Sequence, residues 1–294
     1  MKIAFLACDT TLPGTANRRA DAFEHDYQFD AIRKPLAEKG VSLEEINWKA
    51  PLEDIVQYDL ALISTTWDYQ DCCDAFLSKL EAIEARGVAL HNPSKLVRWN
   101  IEKTYLRDLG DKGAPTVPTL WVETPTADDA RRAFSQFNAD TIVIKRQVGA
   151  GAEGQKKLDK NDALPDGPLL DRPAMIQPFL PAIRSEGEYS FIFVDGELSH
   201  ALVKRAKAGD YRIQSAYGGK EEAVTPSTSD LGQALDIVQS LPGGAPLYAR
   251  IDMVRSNSGD LLLMEAELVE PYLYPVEGPD LGSKMANALM ARLA

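Results

Sequence analysis

The stretch Tyr248–Tyr274, YARIDMVRSNSGDLLLMEAELVEPYLY, sets carboxylates inside apolar runs. Ala249–Val254 and Leu261–Val269 flank the turn-prone Ser256-Asn257-Ser258-Gly259-Asp260, a pattern that predicts a β-hairpin. Glu265 and Glu267 are two apart, so on a strand they share a face. A two-residue turn at Ser258-Gly259 sets Asp252 opposite Glu265. Three carboxylates then converge on one face, with Arg250 the only nearby cation. Such a cluster repels itself unless a counter-charge enters, and hard divalent cations take oxygen ligands of this kind. The hairpin is therefore expected to hold Mg²⁺ through Asp252, Glu265 and Glu267. The alternative is a solvated acidic face, which a run as apolar as Leu261–Met264 opposes.

The 294 residues are enough for two or three lobes with sizeable cores. A formal net charge of −12 argues against non-specific binding to nucleic acid or to anionic membrane. It leaves room for a local basic pocket. No run of eighteen apolar residues occurs, so no membrane span is expected. Lys2 followed by Ile3–Cys8 is too short for a signal-peptide core. Cys8, Cys72 and Cys73 are too few for a disulfide framework and lack zinc-pair spacing. The expectation is a cytoplasmic protein with reduced thiols. His25, His91 and His200 are scattered, which opposes a histidine-rich metal site.

From the start, KIAFLAC at 2–8 reads as a buried strand, followed by a polar loop to Asp21. A helix is expected over Tyr27–Lys39, ending at Gly40, with strands at Val41–Trp48 and Asp59–Ser64. Asp71–Arg86 is amphipathic, with Phe76, Leu77, Leu80 and Ile83 on one side, and Val88–Leu90 is a short strand. Alternating strands and helices make residues 1–93 a Rossmann-like α/β lobe with a parallel sheet. Ser94–Gly110 is helical, capped by Ser94 and broken near Asn100. Thr119–Val122 is a strand, Asp128–Phe137 a helix and Thr141–Lys145 a strand. Beyond this point strands come in hairpins. Arg146–Leu158 is a glycine-rich turn, Met175–Leu180 a strand, and Tyr189–Lys204 a hairpin turning at Asp195-Gly196. Gly209–Gly219 is a polar loop, and Leu231–Leu241 and Gly282–Leu293 are helices.

Gly149-Ala150-Gly151-Ala152-Glu153-Gly154 matches the dinucleotide pattern G-x-G-x-x-G, which requires a helix directly after the third glycine. Gln155–Lys160, followed by Pro165 and Gly167, is a poor helix, which opposes a Rossmann oxidoreductase. A P-loop string is absent. The remaining reading is a hairpin whose backbone N–H groups close over phosphates, with the Lys145 ammonium at its mouth. Met175–Leu180, stopped by Pro181, is an extended link that can offer backbone groups to a purine. Glu186 or Glu188 can bond a ribose hydroxyl. Lys204, Arg205, Lys207 and Arg212 supply the cationic charge that the acidic hairpin lacks. His200 is a candidate base, although a histidine amid a strand is more often structural.

The order Lys103, Lys145 with its glycines, the Gln177–Leu180 link, Glu188, Asp252, Glu265 and Glu267 resembles the ATP-grasp superfamily. The resemblance covers about residues 94–294. Asn100-Ile101-Glu102-Lys103, Ile144-Lys145, Gln177–Ile183 and Glu265-Ala266-Glu267 are similar to the prokaryotic glutathione synthetase branch. Ser199-His200-Ala201 and Gly209-Asp210-Tyr211-Arg212 resemble the cycloserine-forming O-ureido-serine cyclo-ligase branch. The resemblance implies an ATP-grasp fold, α+β in its C-terminal part, after a pre-ATP-grasp lobe that helps bind substrate through Thr65–Tyr69. It divides the chain into residues 1–93, a small subdomain with a glycine-rich lid at 94–180, and a C-terminal subdomain at 181–294.

By the same resemblance, Lys103 and Lys145 hold the ATP phosphates under a lid of Gly149, Gly151 and Gly154. Gln177, Phe179 and Leu180 line the adenine slot, Glu188 takes the ribose, and Asp252, Glu265 and Glu267 hold Mg²⁺. Relatives of the glutathione synthetase type usually place an Asn where this chain has Glu267. The implied activity is carboxylate–amine ligation through an acylphosphate, on a small-molecule carboxylate and a nucleophile. Lys204, Arg205 and Arg212 are the catalytic candidates, Arg212 for the tetrahedral intermediate. A nucleotide-binding regulatory protein without ligase activity is the alternative. Neither nucleic acid nor membrane is an expected partner, and a homo-oligomer is allowed.

Overall fold

A computed structural model describes residues 1–149, 151, 154–207 and 218–293. The first lobe runs β1 (Lys2–Ala7), α1 (Phe23–Glu38), β2 (Ser42–Asn47), α2 (Leu52–Ile55), β3 (Leu60–Ile63), a 3₁₀ turn (Tyr69–Asp71), α3 (Cys73–Ala85) and β4 (Ala89–His91). Its sheet has the order β2-β1-β3-β4, and every pairing is parallel. Parallel neighbours need crossovers, which the intervening helices provide. Strand alternation splits the core in two. Ala4, Leu6, Ala61 and Ile63 meet Phe76, Leu77, Leu80 and Ile83 of α3, the face expected from their spacing. Ile3, Phe5, Leu60 and Leu62 meet Ile32 and Leu36 of α1 on the other side.

That second face is completed from far along the chain. Leu281, Met285 and Leu289 of the last helix, α9 (Leu281–Leu293), join the same core. A Cβ on Gly282 would lie 1.9 Å from the Ala31 carbonyl oxygen, so only glycine lets α9 sit this close to α1. The helix expected from Tyr27 begins at Phe23. Its first turn carries Glu24 and Asp26, which suit the positive end of a helix.

Next come α4 (Ser94–Asn100) and α5 (Tyr105–Asp111), with the break near Asn100 as expected. Ser94 is not the cap. Pro93 holds that position, while the Ser94 hydroxyl and backbone N–H both donate to Glu84, the N–H at 3.1 Å. A carboxylate from α3 thus satisfies the start of α4. A second sheet contains β5 (Leu120–Val122), β6 (Thr141–Arg146), β7 (Lys156–Asp159) and β8 (Ala174–Pro178) in the antiparallel order β5-β8-β6-β7. Helix α6 (Ala127–Gln136), started by a Thr126–Asp129 capping box, packs Ala130, Ala133 and Phe134 on Ile142, Ile144 and Ile176.

After α7 (Ala182–Ser185), the third sheet comprises β9 (Glu188–Val194), β10 (Glu197–Arg205), β11 (Lys220–Val224), β12 (Tyr248–Arg255) and β13 (Leu261–Glu267). Its antiparallel order is β11-β10-β9-β12-β13. Helix α8 (Thr228–Gln239) and Leu96, Tyr105 and Leu109 from α4 and α5 share its core. Much of the loop expected at Gly209–Gly219 lies outside the described residues, and β11 directly follows it. Among the described residues no helix is long and apolar enough to cross a membrane, and all three cysteines are free.

Asp252 pairs with Glu265 across the β12–β13 hairpin, as expected, but not through a two-residue turn. Near the turn Arg255 pairs with Leu261 and Met253 with Leu263, and Ser256 and Asp260 close a wider loop. The register shifts between Asp252 and Met253, so Met264 is an extra residue, a β-bulge. Without it Asp252 would face Met264.

Two buried asparagines tie the hairpin to the rest. Asn92 Nδ2 donates to Tyr248 O (3.0 Å) and Leu268 O (2.8 Å), and its Oδ1 accepts from Leu247 N (2.9 Å). Asn100 does the same for Ala266 O and Leu268 N. Replacing Asn92 by Ala strands three buried backbone groups at about 1–3 kcal/mol each. Urea unfolding should show a loss of at least about 3 kcal/mol; a loss near that of an exposed Asn→Ala change would remove this role.

Candidate active site

The face of β9, β10, β12 and β13 nearest the first lobe is charged and largely closed to water. Ser190 on β9 and Asp252 on β12 are cross-strand partners, and the Ser190 hydroxyl donates to the Asp252 carboxylate. Lys204 on β10 reaches both Glu188 Oε1 (2.5 Å) and Asp252 Oδ1 (3.2 Å). Arg250 Nε donates to Asp252 Oδ2 (3.0 Å), while its other nitrogens reach Tyr272 O and Glu267. Burial disfavours the charge on Lys204, but Asp252 and Glu188 outweigh it and hold the ammonium above its ordinary range. Burial likewise opposes ionisation of Asp252, yet Arg250, Lys204 and Ser190 keep that carboxyl below its ordinary value. Glu188 is less well compensated, and burial pushes it up to about 7.

Strand parity corrects one catalytic candidate. Lys204 points into the site, so its neighbour Arg205 points out, where it is exposed and paired with Glu222 of β11. Arg212 lies outside the described residues, as does the Gly209–Arg212 string around it. Glu186 is turned away too, with Arg255 Nε donating to it at 2.8 Å. His200 packs against Gly278, where a Cβ would lie 2.1 Å from its Nδ1, and burial pushes its imidazole down to about 4. It is a packed residue of β10, the structural alternative.

The glycine stretch is the tip of the β6–β7 hairpin, and the strand Lys156–Asp159 stands where a dinucleotide fold needs a helix. Ala150, Ala152 and Glu153 are outside the described residues. Gly151 (φ +61°) and Gly154 (φ +68°) hold left-handed backbone, and a Cβ on Gly154 would meet Arg146 Nε at 2.5 Å. Lys103 bridges this tip to the acidic face, its Nζ 2.7 Å from Gly149 O and 3.6 Å from Glu265 Oε2. Lys145 has neither a hydrogen bond nor an ion pair among the described residues; burial lowers its pKa, with Glu265 and Glu188 working the other way. Gln177 is buried and donates to Thr119 Oγ1 (3.0 Å). Phe179 and Leu180 rest on an apolar cluster of Val117, Ile183 and Val254 with Leu262 and Met264.

The three carboxylates do share a face, and the cation that the hairpin itself lacks comes from Lys204, as expected, and from Lys103 besides. Lys204 and Lys103 join Arg250, and among the described residues no group of three His, Cys, Asp or Glu is set to cage a metal. Asp252 has both oxygens engaged. Glu265 and Glu267 each meet a protein cation through one oxygen, so their donor chemistry fits a hard ion such as Mg²⁺. One acid escaped the sequence reading altogether. Glu270, just past β13, is buried beneath Trp67 and Tyr69 of the first lobe, and burial with Glu267 nearby pushes it up to about 8. Its only sequence signal is an acid inside the apolar run Leu268–Tyr274.

Two family models match the chain: the N-terminal domain of D-cycloserine synthetase DcsG over residues 3–92, and the ATP-grasp domain of prokaryotic glutathione synthetase over residues 132–261. The cycloserine biosynthesis protein DcsG of Streptomyces lavendulae is 26% identical over 294 residues, spanning 91% of this chain and 94% of that one. A glutathione synthetase of Prochlorococcus marinus (strain MIT 9313) is 30% identical over 224 residues, 73% of this chain and 67% of its own. The crystal structure of DcsG superposes with a TM-score of 0.85 at 22% identity, covering 100% of both chains. D-alanine–D-alanine ligase from Bacillus anthracis gives 0.70 at 15% identity, covering 100% of this chain and 97% of the other.

Two outcomes follow from the charge arrangement. Lys204→Met leaves Glu188 and Asp252 short of a buried partner and should cost about 3–5 kcal/mol; a change under about 1 kcal/mol in chemical unfolding would refute the pairing. Glu270 keeps its proton in the folded chain up to about pH 8 but loses it near 4.5 when unfolded. Its contribution is therefore present below pH 4.5 and is lost as pH rises toward 8, at up to about 1.4 kcal/mol per unit. Glu270→Gln should flatten that part of the stability–pH curve, and an unchanged slope would contradict the burial argument.

Proposed function

The chain belongs to the ATP-grasp superfamily, and from that membership we propose that it is an ATP-dependent ligase joining a small carboxylate to an amine or related nucleophile. The similarity to the cycloserine biosynthesis protein favours a nucleophile within the same molecule. The observation that carries the reading is Lys103, bridging the glycine tip to Glu265 beside Lys145, which has no ion pair among the described residues. Two cations thus meet at the junction of a glycine-rich hairpin tip and an acidic face. A surface without such chemistry has no reason to hold a half-buried lysine that has no ion-pair partner among the described residues.

When bound, ATP supplies the phosphoryl group that turns the carboxylate into an acylphosphate, and Mg²⁺ offsets charge on the transferring oxygens. The protein's own residues then divide the work. Lys103 and Lys145 would hold the phosphates, with Gly149, Gly151 and Gly154 offering backbone N–H groups above them. Gln177, Phe179 and Leu180 would flank the base. Glu265 and Glu267 would hold Mg²⁺, releasing Lys103 and Arg250 toward phosphate oxygens. Asp252, with both oxygens engaged, orients Lys204 and Arg250 instead. Glu188, expected on the ribose, is assigned to keeping Lys204 charged, because its carboxylate already lies 2.5 Å from that ammonium. Arg212 keeps its proposed place as a donor to the tetrahedral intermediate.

Screening amino and hydroxy acids with ATP and Mg²⁺ tests this reading: at least one acid should raise ADP release above the rate with ATP alone. ATP retained without acid-dependent turnover would support a regulatory binder instead. Lys145→Ala should weaken ATP binding by about 1.5–3 kcal/mol, the range for a charged hydrogen bond. Equal affinity by calorimetry would remove Lys145 from the site.

A further inference from the structure

Three carboxylates are buried among the described residues: Glu188, Asp252 and Glu270. Lys204 and Arg250 pair the first two. Glu270 has no cation partner among the described residues; its carboxylate is held by the Tyr69 hydroxyl, and its backbone oxygen accepts from Trp67 Nε1 at 3.0 Å. Burial keeps this carboxyl protonated in the free chain, and a positive charge brought beside it would favour the carboxylate.

The surroundings narrow what that charge can be. The loop carrying Trp67 and Tyr69 also carries Thr66, which is fully buried and whose Oγ1 has no hydrogen-bond partner among the described residues. In the same loop Gln70 Oε1 lies 3.9 Å from where a Cβ on Gly149 would be, so this segment borders the glycine tip. Lys103, Arg250 and Glu267 are near enough to act on the charge of Glu270, though neither cation forms an ion pair with it among the described residues. The acid therefore stands beside the proposed phosphate site, at the junction of the first lobe and the hairpin. A metal ion is a poor match, since Glu270 meets the Tyr69 hydroxyl and no cage of His, Cys, Asp or Glu forms there among the described residues. A primary ammonium has three N–H donors and no acceptor, which suits the Glu270 carboxylate, and the unpartnered Thr66 hydroxyl in the adjoining loop is a further acceptor.

We infer that Glu270 reads a primary ammonium group on the carboxylate substrate, with Tyr69 positioning the receiving carboxylate. The inference deepens the ligase reading and rests on it. The substrate is then an amino acid whose carboxylate faces the phosphates and whose ammonium points toward the first lobe.

The test is the melting temperature of the full chain with Mg²⁺ and a nonhydrolysable ATP analogue, titrated with each hand of alanine and serine. Lactate and glycerate, which carry a hydroxyl where the ammonium was, are titrated in parallel. In the parent at least one amino acid should bind ten-fold or more tightly than its hydroxy counterpart. Glu270→Gln should close that gap while leaving the nucleotide's own shift unchanged, and in turnover it should raise KM far more than it lowers kcat. Equal discrimination in parent and variant overturns the inference, as does a parent that none of these compounds stabilises. A merely structural Glu270 would change the melting temperature of the free chain and leave the ratio alone, which also overturns it. An amino-acid response without acid-dependent ADP release removes the ligase reading while retaining ammonium recognition. ADP release with no preference for the ammonium form does the reverse.

Discussion

A buried Asp252 can stay charged only if its surroundings supply the counter-charge, and four strands are arranged to do so. Ser190 comes from β9, Lys204 from β10, and Arg250 and Asp252 itself from β12, while Glu267 on β13 takes the far side of the Arg250 guanidinium. Each contact requires the right strand parity, so the pairings of the sheet and its charge balance specify one another. A slip of one residue on β10 would send Lys204 to solvent and bring Arg205 inward. The same balance explains why Glu265 and Glu267 remain adaptable: their partners are single contacts, whereas Asp252 is saturated.

Joining the lobes falls to neutral polar side chains on backbone groups. Asn92 and Asn100 hold β12 and β13, the Tyr105 hydroxyl accepts from Ala266 N at 2.9 Å, and Gln28 of α1 bonds Pro271 O and Leu273 N. The Tyr248 hydroxyl lies 2.9 Å from Ile63 O and 2.8 Å from Val269 O. Uncharged bonds of this kind fix geometry without adding to an already crowded set of charges. They place the loop Thr66–Gln70 against the end of β13, which brings Glu270 into the site.

Much of this was legible in the chain. Apolar runs broken by Ser, Asn and Gly marked the acidic hairpin, and the poor helix after Gly154 marked the glycine stretch as a hairpin tip. The pairing of Asp252 with Glu265 was read correctly through a wrong turn, because a bulge at Met264 offset a wider loop. Local pattern carries no signal for such compensation. The parity of Lys204 and Arg205 was hidden for a related reason: two adjacent cations look alike until the strand's partners fix which one faces inward. Glu270 lies beyond the strand and owes its burial to Trp67 and Tyr69, some two hundred residues earlier. Contacts at that separation leave no periodicity to read.

Gly282 and the helix it lets in have a consequence for the order in which the protein is made. On the ribosome, β1 to β4 emerge first, and α3 can cover one side of their sheet at once. The opposite side, with Ile3 and Phe5, gains Ile32 and Leu36 of α1 early but must wait for Leu281, Met285 and Leu289 before it is sealed. Domains made early generally fold early, but this one is left with an apolar flank until nearly all of the described chain has been synthesised. A nascent chain stalled before α9 is thus a natural client for chaperones that bind exposed apolar surface, even though its parallel sheet is already encoded in full.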